Sequence, residues 1–157
     1  MSNRVRNLFF QVMVVGLFPL AAWGGGLALP EGPVVLEVAG SLGRANVGAE
    51  AHFDMGLLDG LPQEVLRTSS LWTDRVSEFR GPRLLDLLAA LGVEQGRLTL
   101  IALNDYRIEI PFSDLKRYPV VLATRQDEKR LKVRNKGPLW VVYPWDDFPE
   151  LKSETYF

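Results

Sequence analysis

The chain contains no cysteine and only one histidine, His52, among its 157 residues. The absence of cysteine excludes disulfides, thiolate-bound metals and a thiol nucleophile built from this chain. A single histidine excludes a histidine-rich metal site, and a Ser-His-Asp triad would have to use His52. Because His52 lies in a Gly/Ala-rich stretch before the first clear helix, we interpret it as a solvated loop residue.

Charge is missing from a long stretch near the N-terminus. Arg4 and Arg6 are followed by an uncharged run over 8–28 that ends in small residues. This pattern predicts a secretory signal peptide over 1–28, cleaved after Ala28. The alternative is an uncleaved anchor, since the run is long enough to cross a membrane, although a proline and a glycine run weaken it as a helix. Both interpretations predict a periplasmic protein, soluble or membrane-anchored.

The charge balance restricts export route and partners. Val5 separates the two N-terminal arginines, so there is no twin-arginine pair and the chain is expected to cross the membrane unfolded. Cleavage removes two of the 18 basic residues and none of the 19 acidic ones, which leaves a small negative net charge and excludes a broad nucleic-acid-binding surface. With 47% apolar and 24% charged residues, one globular domain over 29–157 is expected.

The first half of this domain reads as short strands and helices separated by glycine-containing turns. A leucine-rich helix is the strongest single pattern, because its leucines recur on one face. The predicted elements are a strand over 33–39, a helix from an Asp54 N-cap to Gly60, a strand over 64–68, a loop with the sequence RTSSLWTDR over 67–75, a strand over 76–82, and a helix with Pro82 at its first position and Gly92 after its end.

The second half has a hydrophobic period of two, which predicts strands. A hairpin turns at Asn104-Asp105, with Tyr106, Ile108, Ile110 and Phe112 on its buried face. The further elements are a helical turn capped by Ser113, a strand over 120–125, a strand over 129–134 with Leu131 and Val133 inward, an apolar strand over 139–145, and a polar surface tail in which Asp146-Asp147 caps the last turn. The fold class is α+β, strand-rich, with a mixed and barrel-like sheet.

Three motifs occur in a recognisable order: WTDRVSEFRGPRLLDLLAALG, LIALNDYRIEIPFSDL and VVLATRQDEKRLKVRNKGPLWVVYPWDD. Together they resemble the small exported members of the sulfite-oxidase-like, molybdopterin-binding oxidoreductase family. The resemblance spans about Pro33 to Leu151. It implies the family's fold, a molybdopterin cofactor and an oxidoreductase activity.

One position departs from that family. The resemblance implies a metal-ligating cysteine in the loop before the strand and helix that contain Phe79-Arg80-Gly81, and this position falls at or near Ser69. A serine hydroxyl loses its proton far less readily than a thiol and is a harder donor. The usual molybdenum-thiolate centre therefore cannot be built from this chain, and no metal-ligating residue is predicted.

The same resemblance implies a pocket between the RTSSLWTDR loop, the Asn104-Asp105-Tyr106 turn and the VRNKGP segment. The loop would offer hydrogen-bond donors to an anionic ligand, an aromatic ring would stack on a flat heterocycle, and two basic residues would contact a phosphate. The candidate binding residues are Arg67, Thr68, Ser69, Trp72, Asn104, Tyr106, Arg134 and Lys136.

Simpler explanations exist for each part of this set. Arg130, Lys132 and Arg134 on alternate positions would protect an exposed strand edge. The tryptophans would pack in the core or at its rim, Asn104-Asp105 would form a hairpin turn without a ligand, and the serines of the loop would bond to the local backbone.

The leading hypothesis is an exported domain of this fold that has lost the metal ligand and binds a small anionic or pterin-like ligand, or an envelope signalling or redox partner. The alternative is a molybdopterin-dependent oxidoreductase in which Ser69, or no protein ligand, completes the metal site. A third interpretation is a non-functional or truncated relative, because family members continue past ELKSETYF into a further strand. The first hypothesis implies no cofactor, the second molybdopterin.

Overall fold

A computed structural model describes residues 26–70, 73–135 and 137–152. Nearly all of the predicted signal segment, and the candidate site residues Trp72 and Lys136, lie outside these ranges. The described chain is a strand-rich α+β fold with ten short strands and three short helices, so the predicted class is confirmed. Within these ranges no helix combines the length and the apolarity that spanning a membrane requires.

The N-terminal part forms a small antiparallel sheet and a capped helix. Strand β1 (Leu36–Val38) pairs with β2 (Ala51–Phe53), and helix α1 (Met55–Gly60) follows directly. The Asp54 carboxylate accepts a hydrogen bond from the backbone N–H of Leu57 at 2.8 Å, as predicted for its N-cap. The same carboxylate accepts from the backbone N–H of Gly32 at 2.7 Å, and these bonds, Leu57 first, lower the pKa of Asp54.

The predicted loop over 67–75 is mostly strand. Strand β3 (Gln63–Ser70) and strand β4 (Thr73–Pro82) form a hairpin whose described pairs run from Gln63↔Pro82 to Ser70↔Thr73. The interpretation as a loop was wrong because β3 alternates between exposed Val65 and Arg67 and buried Leu66 and Thr68. Thr68 is buried with its cross-strand partner Ser77. The polar composition of this stretch suggested a loop, although the side chains of a strand alternate between its two faces.

The leucine-rich helix α2 (Leu84–Ala90) begins later than predicted. Pro82 is the last residue of β4 and Arg83 is the N-cap, so the placement of Pro82 in the helix was wrong. Gly92 follows with φ +73°, the left-handed conformation expected of a helix-ending glycine. Leu84, Leu87 and Leu88 are buried.

The predicted hairpin is confirmed as β5 (Arg97–Ile101) paired with β6 (Arg107–Pro111), with Ile101↔Arg107 the pair nearest the turn. Ile110 is buried, but Tyr106 is 60% exposed, so its predicted place on the buried face was wrong. Helix α3 (Phe112–Arg117) has Pro111 as its N-cap, and Ser113 lies inside the helix. The proline precludes a side-chain cap, and none is formed.

Four short strands complete the described chain: β7 (Val121–Ala123), β8 (Arg125–Gln126), β9 (Lys129–Arg130) and β10 (Trp140–Val142). β7 pairs with β10, and one sheet has the order β3-β4-β8-β9. The strand predicted over 129–134 ends early, because Val133 begins a 3₁₀ turn and is 67% exposed. Leu151, in the tail expected at the surface, is fully buried in a 3₁₀ turn over Pro149–Leu151.

All strand pairs within the described ranges are antiparallel, and the sheets are open. The predicted mixture of parallel and antiparallel strands, and the closed barrel, therefore do not occur there. Short connections explain this for the hairpins β3–β4, β5–β6 and β8–β9, since parallel neighbours need crossovers of a dozen or more residues.

The close approach of β4 to β7 joins the sheets. The Thr124 N–H donates to the Arg80 carbonyl at 2.9 Å, the Leu84 N–H donates to the Val120 carbonyl at 3.0 Å, and Gly81 lies between these bonds. A Cβ at Gly81 would overlap the Leu122 carbonyl oxygen and lie 2.8 Å from its carbon. Only glycine permits this backbone contact. Phe79 packs beside it, edge-on to Trp140 of β10 with ring centroids 5.2 Å apart.

We expect Gly81→Ala to lower the free energy of unfolding by at least about 3 kcal/mol, because backbone rather than a flexible side chain must move. Gly60→Ala is the matched control: its Cβ would meet no atom within 4 Å, and alanine in a helix raises stability by up to about 1 kcal/mol over glycine. Urea unfolding of both variants measures this. Equal stability of Gly81→Ala and the wild type would contradict the close approach.

Candidate functional site

Ser69 lies at a local irregularity near the end of β3. The strand register shifts between Thr68, which faces Ser77, and Ser70, which faces Thr73. One residue of β3 therefore opposes three residues of β4. Such bulges interrupt ladder pairing and change the direction of a side chain. The Ser69 N–H is thus available to a partner outside the hairpin.

That partner is Asp146, which lies 77 residues later in the chain. The Ser69 N–H donates to Oδ2 of Asp146 at 2.5 Å, and the Ser69 hydroxyl donates to Oδ1 at 2.7 Å. Both carboxylate oxygens are engaged by one serine, through its backbone and its side chain. Two short bonds to an ionised acceptor form a charge-assisted contact stronger than bonds between neutral groups.

Two further side chains complete this group, which we call the Ser69–Asp146 cluster: Thr68, Ser69, Asp146 and Lys152. The Asp146 N–H donates to Oγ1 of Thr68 at 3.2 Å, so the two segments exchange bonds in both directions. The Lys152 ammonium lies 3.0 Å from Oδ1 of Asp146. The carboxylate therefore accepts two hydrogen bonds from Ser69 and has one cation, Lys152, beside it.

The chain after β10 places Asp146 at this position. β10 ends at Val142, and a turn follows in which the N–H groups of Asp147 and Phe148 donate to the Pro144 carbonyl at 3.1 and 3.2 Å. Buried Tyr143 and Trp145 hold the turn against the core. The Asp146 backbone is therefore positioned by packing before its side chain bonds to Ser69.

Hydrogen bonding sets the ionisation of the cluster. The Ser69 hydroxyl bond is the largest cause, followed by the Ser69 N–H bond, with a smaller contribution from Lys152, and together they lower the pKa of Asp146 to about 2. Partial burial opposes this shift. Asp146 is consequently a carboxylate at any physiological pH, and a weak base for general base catalysis.

The other predicted site residues lie on three different elements. Arg67 is exposed on β3, where its cross-strand partner is Glu78. Asn104 and Tyr106 lie between β5 and β6, where Oδ1 of Asn104 accepts from the Tyr106 N–H at 3.3 Å. This bond supports the simpler explanation of Asn104 as a turn residue. Arg134 is exposed in the 3₁₀ turn over Val133–Asn135.

The hydrogen bonds bring Thr68 and Ser69 together with Asp146. They do not connect these residues to Asn104, Tyr106 or Arg134 within the described ranges. Asp146 was missed by the sequence analysis, which interpreted Asp146-Asp147 as a cap of the last turn. Phe148 is the N-cap of that turn, without a side-chain bond. No local pattern could have identified Asp146, because its partner is 77 residues away.

His52 lies on β2, so its interpretation as a loop residue was wrong. Its ring Nε2 lies 2.9 Å from Oε2 of Glu50, and Glu37 is its cross-strand partner. One ligand atom of each of the three side chains lies within 4.8 Å of the others, as in sites that bind a divalent cation. The His52–Glu50 contact accounts for this arrangement without a metal.

The donors of the Ser69–Asp146 cluster do not fit a molybdenum centre of the implied kind. The chain offers no thiolate, and the Ser69 hydroxyl, the atom that would replace the thiolate, donates to a carboxylate of the protein. Binding a metal through the Ser69 oxygen as an alkoxide would require the loss of the hydroxyl proton and, with it, of the hydroxyl bond to Asp146. Comparison of the sequence with protein-family models and with curated proteins finds no match.

We expect Asp146→Asn to lower the free energy of unfolding at pH 7 by about 1 kcal/mol, after allowance for the solvent exposure of this carboxylate. Folding lowers the pKa of Asp146, so its carboxylate stabilises the folded state. This contribution to the free energy of unfolding is complete above about pH 3.8, the ordinary pKa, and is lost as the pH falls towards about 2. The difference between wild type and variant should therefore vanish near pH 2.

Asp147→Asn is the matched control, because Asp147 is exposed and its side chain bonds to no residue in the described ranges. Urea unfolding at pH 7, 4, 3 and 2 makes the comparison. If the wild type exceeds Asp146→Asn in free energy of unfolding by the same amount from pH 7 to pH 2, the stabilisation does not come from an ionised Asp146 with a pKa of about 2.

Proposed function

We propose that this protein is an exported binding domain of the sulfite-oxidase-like, molybdopterin-binding fold that works without a molybdenum centre. In this proposal it binds a ligand or a partner protein in the cell envelope and does not catalyse a redox reaction. The fold assignment rests on the three sequence motifs and is consistent with the strand-rich α+β architecture. The N-terminal charge pattern supports export.

The Ser69–Asp146 contact is the observation that carries the proposal. Ser69 occupies the position at which the resemblance implies a metal ligand, and both its donors are used by a carboxylate of the same chain. An anionic ligand at this loop would have to replace Asp146, which is already an anion because its pKa is lowered to about 2. The hydrogen-bonding groups of the Ser69–Asp146 cluster are therefore satisfied by residues of the same chain. This supports a structural role for Ser69, at the position where the resemblance implies a metal ligand.

The end of the β5–β6 hairpin supports binding to another protein. Three large apolar side chains are exposed there: Ile101, Leu103 and Tyr106, at 56%, 80% and 60%. Exposed aromatic and aliphatic side chains close together are typical of protein contact surfaces. Tyr106 was predicted to stack on a ligand, and an exposed position on a hairpin suits a partner better than a buried heterocycle.

The proposal predicts that the protein carries neither stoichiometric molybdenum nor pterin. The test is elemental and pterin analysis of the protein purified from the envelope of a host that makes the cofactor, beside the Ser69→Ala variant. A molybdenum enzyme of the same host, purified in parallel, shows that the cofactor was available. Wild type and variant should be equally devoid of both components.

Stoichiometric molybdenum and pterin in the wild type, lost in Ser69→Ala, would replace this proposal by the oxidoreductase with serine as metal ligand. Stoichiometric molybdenum retained in Ser69→Ala would contradict the proposal equally, and would assign the metal to the pterin alone.

A further inference from the structure

Three arginines lie in one row across three neighbouring strands. Arg80 of β4 is the cross-strand partner of Arg125 of β8, which is the partner of Arg130 of β9. Side chains of directly paired residues lie on the same face, with Cβ atoms about 4.5–5.5 Å apart. Like charges in such pairs repel each other and weaken the sheet. The row therefore requires an explanation other than fold stability.

Protection of a strand edge explains only one of the three. In the sheet order β3-β4-β8-β9, the strand β9 forms one edge, and a positive charge at Arg130 discourages pairing with another chain. Arg80 and Arg125 lie on the inner strands β4 and β8, which have neighbours on both sides. Their charges have no edge to protect.

The carboxylates nearby neutralise the row only in part. Arg130 forms a two-pronged ion pair with Asp59, in which Nη1 lies 3.0 Å from Oδ1. The Arg125 guanidinium donates to the backbone oxygen of Glu128 at 3.5 Å, a weak contact. Within the described part of the chain, the guanidinium of Arg80 has no hydrogen bond or ion pair, and it belongs to an exposed residue.

Arg80 and Arg125 border a shallow surface depression of about 450 Å³. Its lining residues are Asp59, Gln63, Arg80, Arg125 and Glu128. Asp59 is engaged by Arg130, and the Gln63 amide nitrogen donates to two backbone carbonyls at 2.9 Å. A molecule that enters the depression therefore meets two guanidinium groups and two carboxylates, of which Asp59 is already paired with Arg130 and Glu128 is not.

We propose that Arg80 and Arg125 bind a phosphate-type dianion in this depression, either as inorganic phosphate or as the phosphate group of a small monoester. Each guanidinium presents a planar pair of N–H donors. Two such pairs of donors from adjacent strands suit a tetrahedral anion with three or more oxygens. A carboxylate has only two oxygens, and one guanidinium can bond to both of them. The two guanidinium charges attract a dianion more strongly than a monoanion.

This site shares no residue with the Ser69–Asp146 cluster, and the inference does not depend on the proposed function. The Glu128 carboxylate borders the same depression and repels an anion. Arg80→Gln and Arg125→Gln should each weaken phosphate binding about tenfold or more, because a charge-assisted contact is lost. Glu128→Gln should strengthen it.

Calorimetric titration of the purified protein with sodium phosphate, at constant ionic strength balanced by chloride, tests the site. Arg107→Gln is the matched control, because Arg107 is an exposed strand arginine of β6 outside the depression. It should bind phosphate as the wild type does. Circular dichroism establishes that each variant is folded, which the retained backbone bond of Arg80 to Thr124 favours.

Titration with glycerol 3-phosphate separates the two sources of the anion. Equal affinity for both anions assigns the site to free phosphate, and tighter binding of the ester assigns it to a monoester. Absence of saturable binding to the wild type would overturn the inference. Binding that is unchanged in both Arg80→Gln and Arg125→Gln would overturn it as well.

Discussion

The backbone contact between β4 and β7 at Gly81 is the constraint on which the arrangement of the sheets depends. Since a Cβ at this position would overlap the Leu122 carbonyl, β7 lies directly against the C-terminal half of β4. β10 then pairs with β7, and the chain that follows β10 reaches the end of the β3–β4 hairpin. The contact of Asp146 with Ser69 follows from the packing of β7 against β4 and the pairing of β10 with β7.

Two regions of the hairpin sheet have acquired different electrostatic properties from this arrangement. At the bulge, a distant segment supplies an acidic residue, whose charge is stabilised by hydrogen bonds from Ser69 and by the Lys152 ammonium. In the arginine row, Arg80 of β4 and Arg125 of β8 are cross-strand partners, and neither forms an ion pair in the described ranges. In the first region the donors are occupied by a carboxylate of the same chain. In the second region the guanidinium groups remain able to attract an anion.

The elements that the sequence predicted well are those whose signals are local. The Asp54 cap, the leucine face of α2 with Gly92 and the β5–β6 hairpin depend on residues within a few positions of one another. The RTSSLWTDR stretch was interpreted wrongly because polar residues in a hairpin resemble a loop in composition.

The candidate site was predictable only in part, for a physical reason. Ser69 was singled out from its place among three motifs, but its partner Asp146 depends on the packing of β7 and β10 against β4. The arginine row likewise depends on strand register, since Arg80 and Arg125 are 45 positions apart and meet only as cross-strand partners. Register between distant strands is set by tertiary packing and has no local signature.

Both hydrogen-bond donors of Ser69 are occupied by an ionised carboxylate of the same chain, and the proposed function depends on this contact. The most direct measurement is the pKa of Asp146, obtained from the pH dependence of its carboxyl ¹³C resonance in the wild type and in Ser69→Ala. The account predicts a pKa of about 2 in the wild type and a shift towards 3.8 in the variant, since the hydroxyl bond is the largest cause. An ordinary pKa near 3.8 in the wild type, unchanged by the substitution, would contradict it.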